Sequence, residues 1–301
     1  MNEILVIGSS NTDMIIKTEK FPAPGETILG GKFLLTPGGK GANQAVAATR
    51  LGGKVTFVMK RGNDLFGNQT IGLLMREGID AEYVIKDNDL PSGVALIIVD
   101  SKGENSIVVA SGANSNLNPE DIPPEIFDCK RYKILLLQLE IPIKTVEYCA
   151  KEASKCGMKI ILNPAPAQPL SDDLLKCVDL VTPNETEAEA LSGIRIKDLE
   201  SATEAAVKIQ SKGVKNVIIT MGVKGAYVRS GKFTGMVPGK KVKAIDTTGA
   251  GDVFNGALAV ALAEGMEHKD AVYFANRAAS ISVTRMGAQA SAPFRNELDL
   301  K

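Results

Sequence analysis

The chain has 301 residues, 35 of them basic and 35 acidic, so it carries no net charge at neutral pH. Nothing in that balance recruits nucleic acid or an anionic membrane, and no apolar run approaches the roughly 18 residues of a membrane span; a small neutral or mixed-charge ligand is the better expectation. The length suits one large α/β domain with a substantial core, and the start runs directly into a strand-like ILVIG with no charged leader or cleavage site, which points to a cytoplasmic protein.

Glu3–Ile7 is a short apolar run closed by Gly8-Ser9-Ser10, as in a buried strand that delivers the next residues to a sheet edge. Asn11 and Asp13 follow. Residues two apart on an extended segment share a side, so this pair can grip the hydroxyls of one small polyol, or else form an Asx-rich turn. From Ile15 to Thr36 short apolar pieces are broken by Pro22, Pro24, Gly25, Gly30 and Gly31, which reads as a hairpin outside the main sheet.

Thr36-Pro37-Gly38-Gly39-Lys40-Gly41-Ala42-Asn43 then opens an alanine-rich helix. Lys40 opposes the helix dipole there, so it either points to solvent or serves a ligand; Asn43, one turn in, can reach the same ligand. This is no P-loop, because Lys40 is followed by glycine and Leu34 stands where the first glycine would fall. A strand at Val55–Met59 and a helix from Leu65 to Glu77 come next. Gly93–Val99 and Ile107–Ala110 flank a polar turn and predict a hairpin.

The second half alternates strands and helices. Ile134–Leu139 ends in Glu140, Met158–Leu162 in Asn163, Val178–Val181 in Asn184 and a helix from Glu185, and Asn216–Thr220 in Met221-Gly222. Open parallel sheets bind ligands beyond the carboxyl ends of their strands, which makes Glu140, Asn184, Glu187 and Thr220 site candidates. Glu187 and Glu189 also fit an acidic first helical turn. Helices at Asp252–Glu264 and Lys269–Arg285 precede an exposed C-terminal segment. No internal repeat, low-complexity region or disordered linker interrupts the chain.

The stretch before those helices holds the chemistry. Val242, Ala244 and Ile245 lead into Asp246-Thr247-Thr248-Gly249-Ala250-Gly251, and apolar residues then recur at helical spacing from Val253 to Leu262. Gly249 and Gly251 permit a tight turn where a helix begins, so N–H groups with no intrahelical partner converge on a spot that favours an anion. A carboxylate at Asp252 would only repel that anion unless it works as a base, although Asp is also a common helix-start residue. The lone histidine, His268, sits in a charged EHKD segment expected at a solvated helix start, so a Ser-His-Asp or Cys-His system lacks its imidazole. Cys129, Cys149, Cys156 and Cys177 show neither C-x-x-C pairing nor nearby histidines, which leaves them as buried reduced thiols.

DTTGAGDVFNGAL at Asp246–Leu258, with GGKGANQAVAATRLG at Gly38–Gly52 and NPAPA at Asn163–Ala167, resembles the ribokinase family of carbohydrate kinases, and the resemblance spans almost the whole chain. It implies one domain over residues 1–301: a doubly wound, mostly parallel central sheet flanked by helices. It also implies a small β-sheet lid, drawn from about 11–37 and 92–112, that covers the sugar and pairs two subunits into a homodimer. The implied reaction is ATP-dependent phosphorylation of D-ribose at its primary 5-hydroxyl, to ribose 5-phosphate and ADP. Asp252 would take the proton from the sugar, and the backbone of Gly249, Ala250 and Gly251 would hold the transferred charge. Asn11, Asp13, Gly39, Lys40, Asn43 and Glu140 would bind sugar. Asn184, Thr220, Gly222, Gly225, Gly251 and Asn276 would meet the nucleotide, and Glu187 would hold Mg²⁺ through water. Asp246, Thr248, Ser282, Arg285, Gly287 and Ser291 would surround a monovalent cation such as K⁺, some through backbone carbonyls.

Three other readings compete. The catalytic turn is shared with kinases of deoxyribose, fructose, ketodeoxygluconate and nucleosides, and a few pocket hydrogen bonds separate these substrates; GGKGANQA and N-x-D favour ribose. A non-catalytic sugar or nucleotide sensor would not need Asp252 beside its glycine cradle. A nicotinamide-dependent dehydrogenase is disfavoured, because the first strand ends in Gly8-Ser9-Ser10 rather than G-x-G-x-x-G.

Overall fold

Alternation along β1 (Glu3–Ile7) sets the layers: Ile4 and Val6 join one apolar cluster while Leu5 and Ile7 join another. In the computed structural model, which describes residues 3–299, this strand is an interior strand of a nine-stranded sheet, third from one edge. It pairs in parallel with β4 (Val55–Gly62) on one side and β8 (Tyr132–Leu137) on the other. Beyond β4 lies β5 (Val84–Asp87). Beyond β8 come β9 (Lys159–Leu162), β10 (Leu180–Val181) and β11 (Asn216–Thr220), all parallel. The antiparallel strands β12 (Gly225–Arg229) and β13 (Thr234–Pro238) finish that edge. The chain winds outward to β5 and then returns to the far side of β1, so the topological switch lies between β1 and β8. Ligand crevices form at such a point.

Apolar faces pack on both sides of the sheet. The cluster of Ile4 and Val6 takes in α1 (Lys40–Arg50), Leu74 of α2 (Leu65–Glu77), α7 (Ala250–Ala263) and α8 (His268–Ser282). The other face carries α3 (Ile143–Cys156), α4 (Asp172–Cys177), α5 (Glu185–Ser192) and α6 (Leu199–Gln210). A second sheet of four strands stands apart, in the order β3 (Lys32–Gly38), β2 (Asn11–Lys17), β6 (Gly93–Val99), β7 (Asn105–Ala110). It exposes Phe33, Leu35, Leu96 and Val108.

Several sequence expectations change. The segment after Arg285 is not exposed: Ala288, Gln289, Ser291, Ala292 and Leu298 are buried, because a short helix, α9 (Arg295–Asp299), folds back onto the core. Of the four thiols only Cys149 is buried; Cys129, Cys156 and Cys177 are half-buried. His268 begins α8 as expected but is half-buried rather than solvated, and burial, followed by the charge of Lys159, lowers its pKa. Val242 and Ile245 are exposed.

One contact decides where the site forms. A Cβ on Gly256 of α7 would lie 2.7 Å from the Gln44 carbonyl oxygen, 2.8 Å from Ala47 Cβ and 2.9 Å from Ala48 N, all on α1. Alanine would return about 1 kcal/mol of helix propensity, but overpacking against backbone costs about 1–3 kcal/mol. Gly256→Ala is therefore expected to lower the urea midpoint with an unchanged slope; an unchanged or higher midpoint would show that the helices can separate freely.

Candidate functional site

The switch crevice gathers the polar candidates from the strand ends. Ser9, just beyond β1, donates from Oγ to Glu140 Oε2 at 2.6 Å, and the Lys40 N–H donates to the same oxygen at 2.9 Å. Glu140 thus caps α1 from outside, since Gly39 at its N-cap offers no side chain. Gly39 has φ 87°, and a Cβ there would lie 2.7 Å from Asn11 N, so only glycine fits. Asn114, in the turn Gly112–Asn116, holds the other wall: its Nδ2 donates to Asn11 Oδ1 at 2.8 Å and its Oδ1 accepts the Ser10 N–H at 3.0 Å. Asp13 lies against Gly38, where any Cβ would come within 2.2 Å of its Oδ1. A cavity of about 450 Å³ opens here, lined in part by Asn11, Ser111, Asn114, Glu140 and Gln168.

Asp252 is buried in the first turn of α7, inward of this crevice. Its Oδ2 accepts Asn43 Nδ2 at 2.9 Å and its Oδ1 accepts Gln44 Nε2 at 3.0 Å, both from α1. Gly249, with φ 72°, caps α7 without a side-chain hydrogen bond, and open space lies over Gly251. Helix N-terminal N–H groups with no side-chain cap suit an anion. The Ala250 N–H is an exception among the three, since it donates within the turn to Thr247 O at 3.2 Å.

The charges in this cleft are strongly coupled. Burial raises the Asp252 pKa, against the Lys40 charge and the hydrogen bonds from Asn43 and Gln44 that favour its ionised form. Burial, helped by the charges of Glu140 and Asp252, pushes Asp13 up to about 6. Burial likewise raises Glu187. Lys40 is enclosed by the acidic groups of the cleft: burial opposes its charge, but Asp252, Glu140 and Glu187 prevail and raise its pKa. Buried Asn43 Oδ1 has no hydrogen-bond partner among the described residues.

A second wall runs along β10 and β11. Asn184 and Glu187 form a capping box on α5: Asn184 Oδ1 accepts the Glu187 N–H at 2.8 Å, and Glu187 Oε2 accepts the Asn184 N–H at 2.9 Å. The acidic-first-turn reading of Glu187 therefore holds. Thr220 bridges to Asn184 through the backbone. Gly222, with φ 54°, faces open space, whereas a Cβ on Gly225 would lie 2.2 Å from Val237 O, so β13 already accounts for that glycine. Asn276 of α8 donates to Val237 O at 3.1 Å and borders a cavity of about 490 Å³ with Lys240, Tyr273 and Arg277.

The cation candidates converge in two facing segments. Asp246 accepts the Thr248 N–H at 2.9 Å and the Gly287 N–H at 2.8 Å, and these bonds, against burial, hold its carboxyl below the usual range. Ser282 and Ser291 turn their hydroxyls to the Ala279 and Ala288 carbonyls. Arg285 directs its guanidinium to Glu297 of α9, so its side chain is not part of this cluster.

Sequence reasoning assigns no role to Ser9, Gln44, Asn114, Gln138, Thr182 or Asn255, the last of which accepts from Thr182 Oγ1 at 2.6 Å and donates to Gly251 O at 2.8 Å. Gln138 and Thr182 follow the last residues of β8 and β10; β8 ends two residues before the expected Leu139, which brings Gln138 to the strand end. Gln44 adjoins Asn43 in the quoted glycine-lysine motif.

The model of the pfkB family of carbohydrate kinases matches residues 1–295. The chain belongs to that family. This kinase is 46% identical to a ribokinase of Haemophilus influenzae over 98% of its own length and 96% of the relative's. It is 40% identical to a deoxyribokinase of Salmonella typhi over 97% and 95% of the two chains. A solved ribokinase of Arabidopsis thaliana, complexed with ribose and ATP, superposes with a TM-score of 0.91 at 34% identity, covering 99% of this chain and 98% of that one.

Because Asp13 titrates at about 6 rather than the ordinary 3.8, the folded kinase binds more protons than the unfolded chain between those values. Its contribution to stability is present below pH ~4 and lost as pH rises through 6. Asp13→Asn is therefore expected to stabilise the kinase at pH 8 by on the order of 2 kcal/mol, a gain that vanishes below pH ~4. Urea unfolding across pH checks this, and a gain independent of pH would show that Asp13 is not strained by its neighbours.

Proposed function

We propose that this kinase transfers the γ-phosphoryl group of ATP to the primary 5-hydroxyl of D-ribose, giving ribose 5-phosphate and ADP. The observation that carries the reading is the buried Asp252 carboxylate, held by Asn43 and Gln44 beside the N-terminus of α7. Such an acceptor-only group can take the proton of an attacking hydroxyl, while α7 N–H groups at Gly249 and Gly251, with Ala250 once its turn bond is released, stabilise the phosphoryl group in transit.

Asn11, Asp13, Gly39, Lys40, Asn43 and Glu140 hold the sugar. Their cleft is rich in acceptors, which a polyol can satisfy with its hydroxyl protons, and the unpartnered Asn43 Oδ1 is one of them. Asn184, Thr220, Gly222, Gly225, Gly251 and Asn276 border the nucleotide, Gly225 by keeping β12 close to β13. Among the described residues no group of three or more His, Cys, Asp or Glu is placed to hold a metal ion. Glu187, whose oxygens already each take an N–H or amide proton from Asn184, fits a hydrated Mg²⁺ held through water. That ion supplies charge neutralisation at the nucleotide phosphates. The anionic Asp246 and the facing Thr248, Ser282, Arg285, Gly287 and Ser291 segments, through backbone oxygens at Arg285, fit K⁺. The apolar faces of the four-stranded sheet suit a lid over the sugar and a homodimer contact. Among the described residues no helix is long and apolar enough to cross a membrane; we place the reaction in the cytoplasm, with its ATP. Deoxyribose is the second reading, favoured by the 40% identity to a deoxyribokinase.

ADP release from ATP with Mg²⁺ and K⁺ is expected to be fastest per unit KM with ribose, across ribose, deoxyribose, fructose, ketodeoxygluconate and nucleosides. A preference for deoxyribose would reassign the pocket and keep the chemistry. Asp252→Asn should retain ATP and sugar binding and lose about 10²–10⁴-fold in kcat; turnover near that of the unchanged kinase would sink the base assignment.

A further inference from the structure

We propose that Gln44 is a positioning residue that aims the Asp252 carboxylate and keeps it ionised, its own amide being locked in orientation by Gln138 and Asn163. This rests on the reading of Asp252 as the base. The four side chains are buried and linked: Gln44 Nε2 donates to Asp252 Oδ1 at 3.0 Å and to Asn163 Oδ1 at 3.1 Å, and Gln138 Nε2 donates to Gln44 Oε1 at 2.7 Å.

The polarity of this network follows from one fact, that a carboxylate only accepts. Gln44 must therefore turn its NH₂ end to Asp252, which leaves its oxygen toward Gln138. Gln138 must then present its own NH₂ end and turn Oε1 away. That oxygen lies against Gly8, where a Cβ would come within 2.1 Å, and it has no partner among the described residues. Asn163, accepting from Gln44, must donate with Nδ2, and it does so to Thr182 O at 3.2 Å. Every amide is thus set for the ionised carboxylate, and reversing any one would face like dipoles across a buried contact.

Other charges also face Asp252. Lys40 on α1 favours its ionised form, while Glu140 beyond β8, Asp13 on β2 and Glu187 on α5 oppose it. Gln44 differs in giving a direct bond that no solvent molecule can replace at a fully buried position. Loss of one hydrogen bond to a charged group is expected to move the Asp252 titration upward by about one pH unit.

The test compares Gln44→Met, Gln138→Met and Asp252→Asn in the whole kinase. Two quantities are read: the pH dependence of kcat with ribose and ATP, and the ¹³C titration of labelled aspartate carboxyls, with Asp252 identified by its loss in Asp252→Asn. In Gln44→Met the Asp252 carbon and the acidic limb of kcat should both move upward by about one unit, with KM for ATP unchanged. Gln138→Met, which does not touch Asp252, should move both in the same direction by less, and it carries the test alone if Gln44→Met fails to fold. An unmoved titration in a folded variant overturns the proposal. Full turnover by Asp252→Asn would instead remove the base reading, and the carbon titration would still decide what Gln44 does to Asp252.

Discussion

The architecture turns on a carboxylate buried at the meeting of two helices, where burial works against its charge. An isolated ionised carboxylate in a protein interior would take up a proton rather than remain charged. Asp252 is buried, yet it receives two side-chain amide bonds from α1, lies at the positive end of α7 and feels the Lys40 ammonium. All three sources come from the same local arrangement, the close crossing of α1 and α7. The missing side chain at Gly256 permits that crossing, so a packing detail on one face of the sheet decides the electrostatics at its edge.

The cleft around Asp252 is costly in another sense. Asp13, Glu140 and Glu187 each press on it, or on one another, and Lys40 is the cation whose charge answers them. A cleft of this kind is a poor place for a bare phosphate and a good one for a ligand with several hydroxyl donors. Natural sites commonly accept such destabilisation for function, and here burial raises Asp13, Glu187 and Asp252 together.

Much of this could be read from residues, and what could not had physical causes. Gly249-Ala250-Gly251 before an apolar helix, the Asn11 and Asp13 pair, and Glu140 after a strand are local patterns, and the fold brings each to the switch crevice. The role of Gln44 is not local: its amide orientation depends on Gln138 and Asn163, more than ninety residues away. The helix α6 escaped notice because its buried stripe is mostly alanine, Ala202, Ala205 and Ala206 beside Ile209. The C-terminal segment was mistaken for a surface because its apolar residues are scattered singly among polar ones. At Glu187 the acidic-first-turn reading is met by a capping box, and at Gly225 a tight strand contact, which no local pattern announces, already requires the glycine.

The four-stranded sheet is joined to the rest of the chain by very short connections. Only Gly8, Ser9 and Ser10 separate β1 from β2, and Gly39 alone separates β3 from α1. Asn11 is thus the first residue past one joint and Lys40 the first residue past the other, so both site candidates directly adjoin the joints. A force applied to the outer rim of that sheet, by a neighbouring molecule or by crowding, reaches the crevice with almost no intervening slack. The orientation of that sheet and the positions of Asn11 and Lys40 are therefore set together.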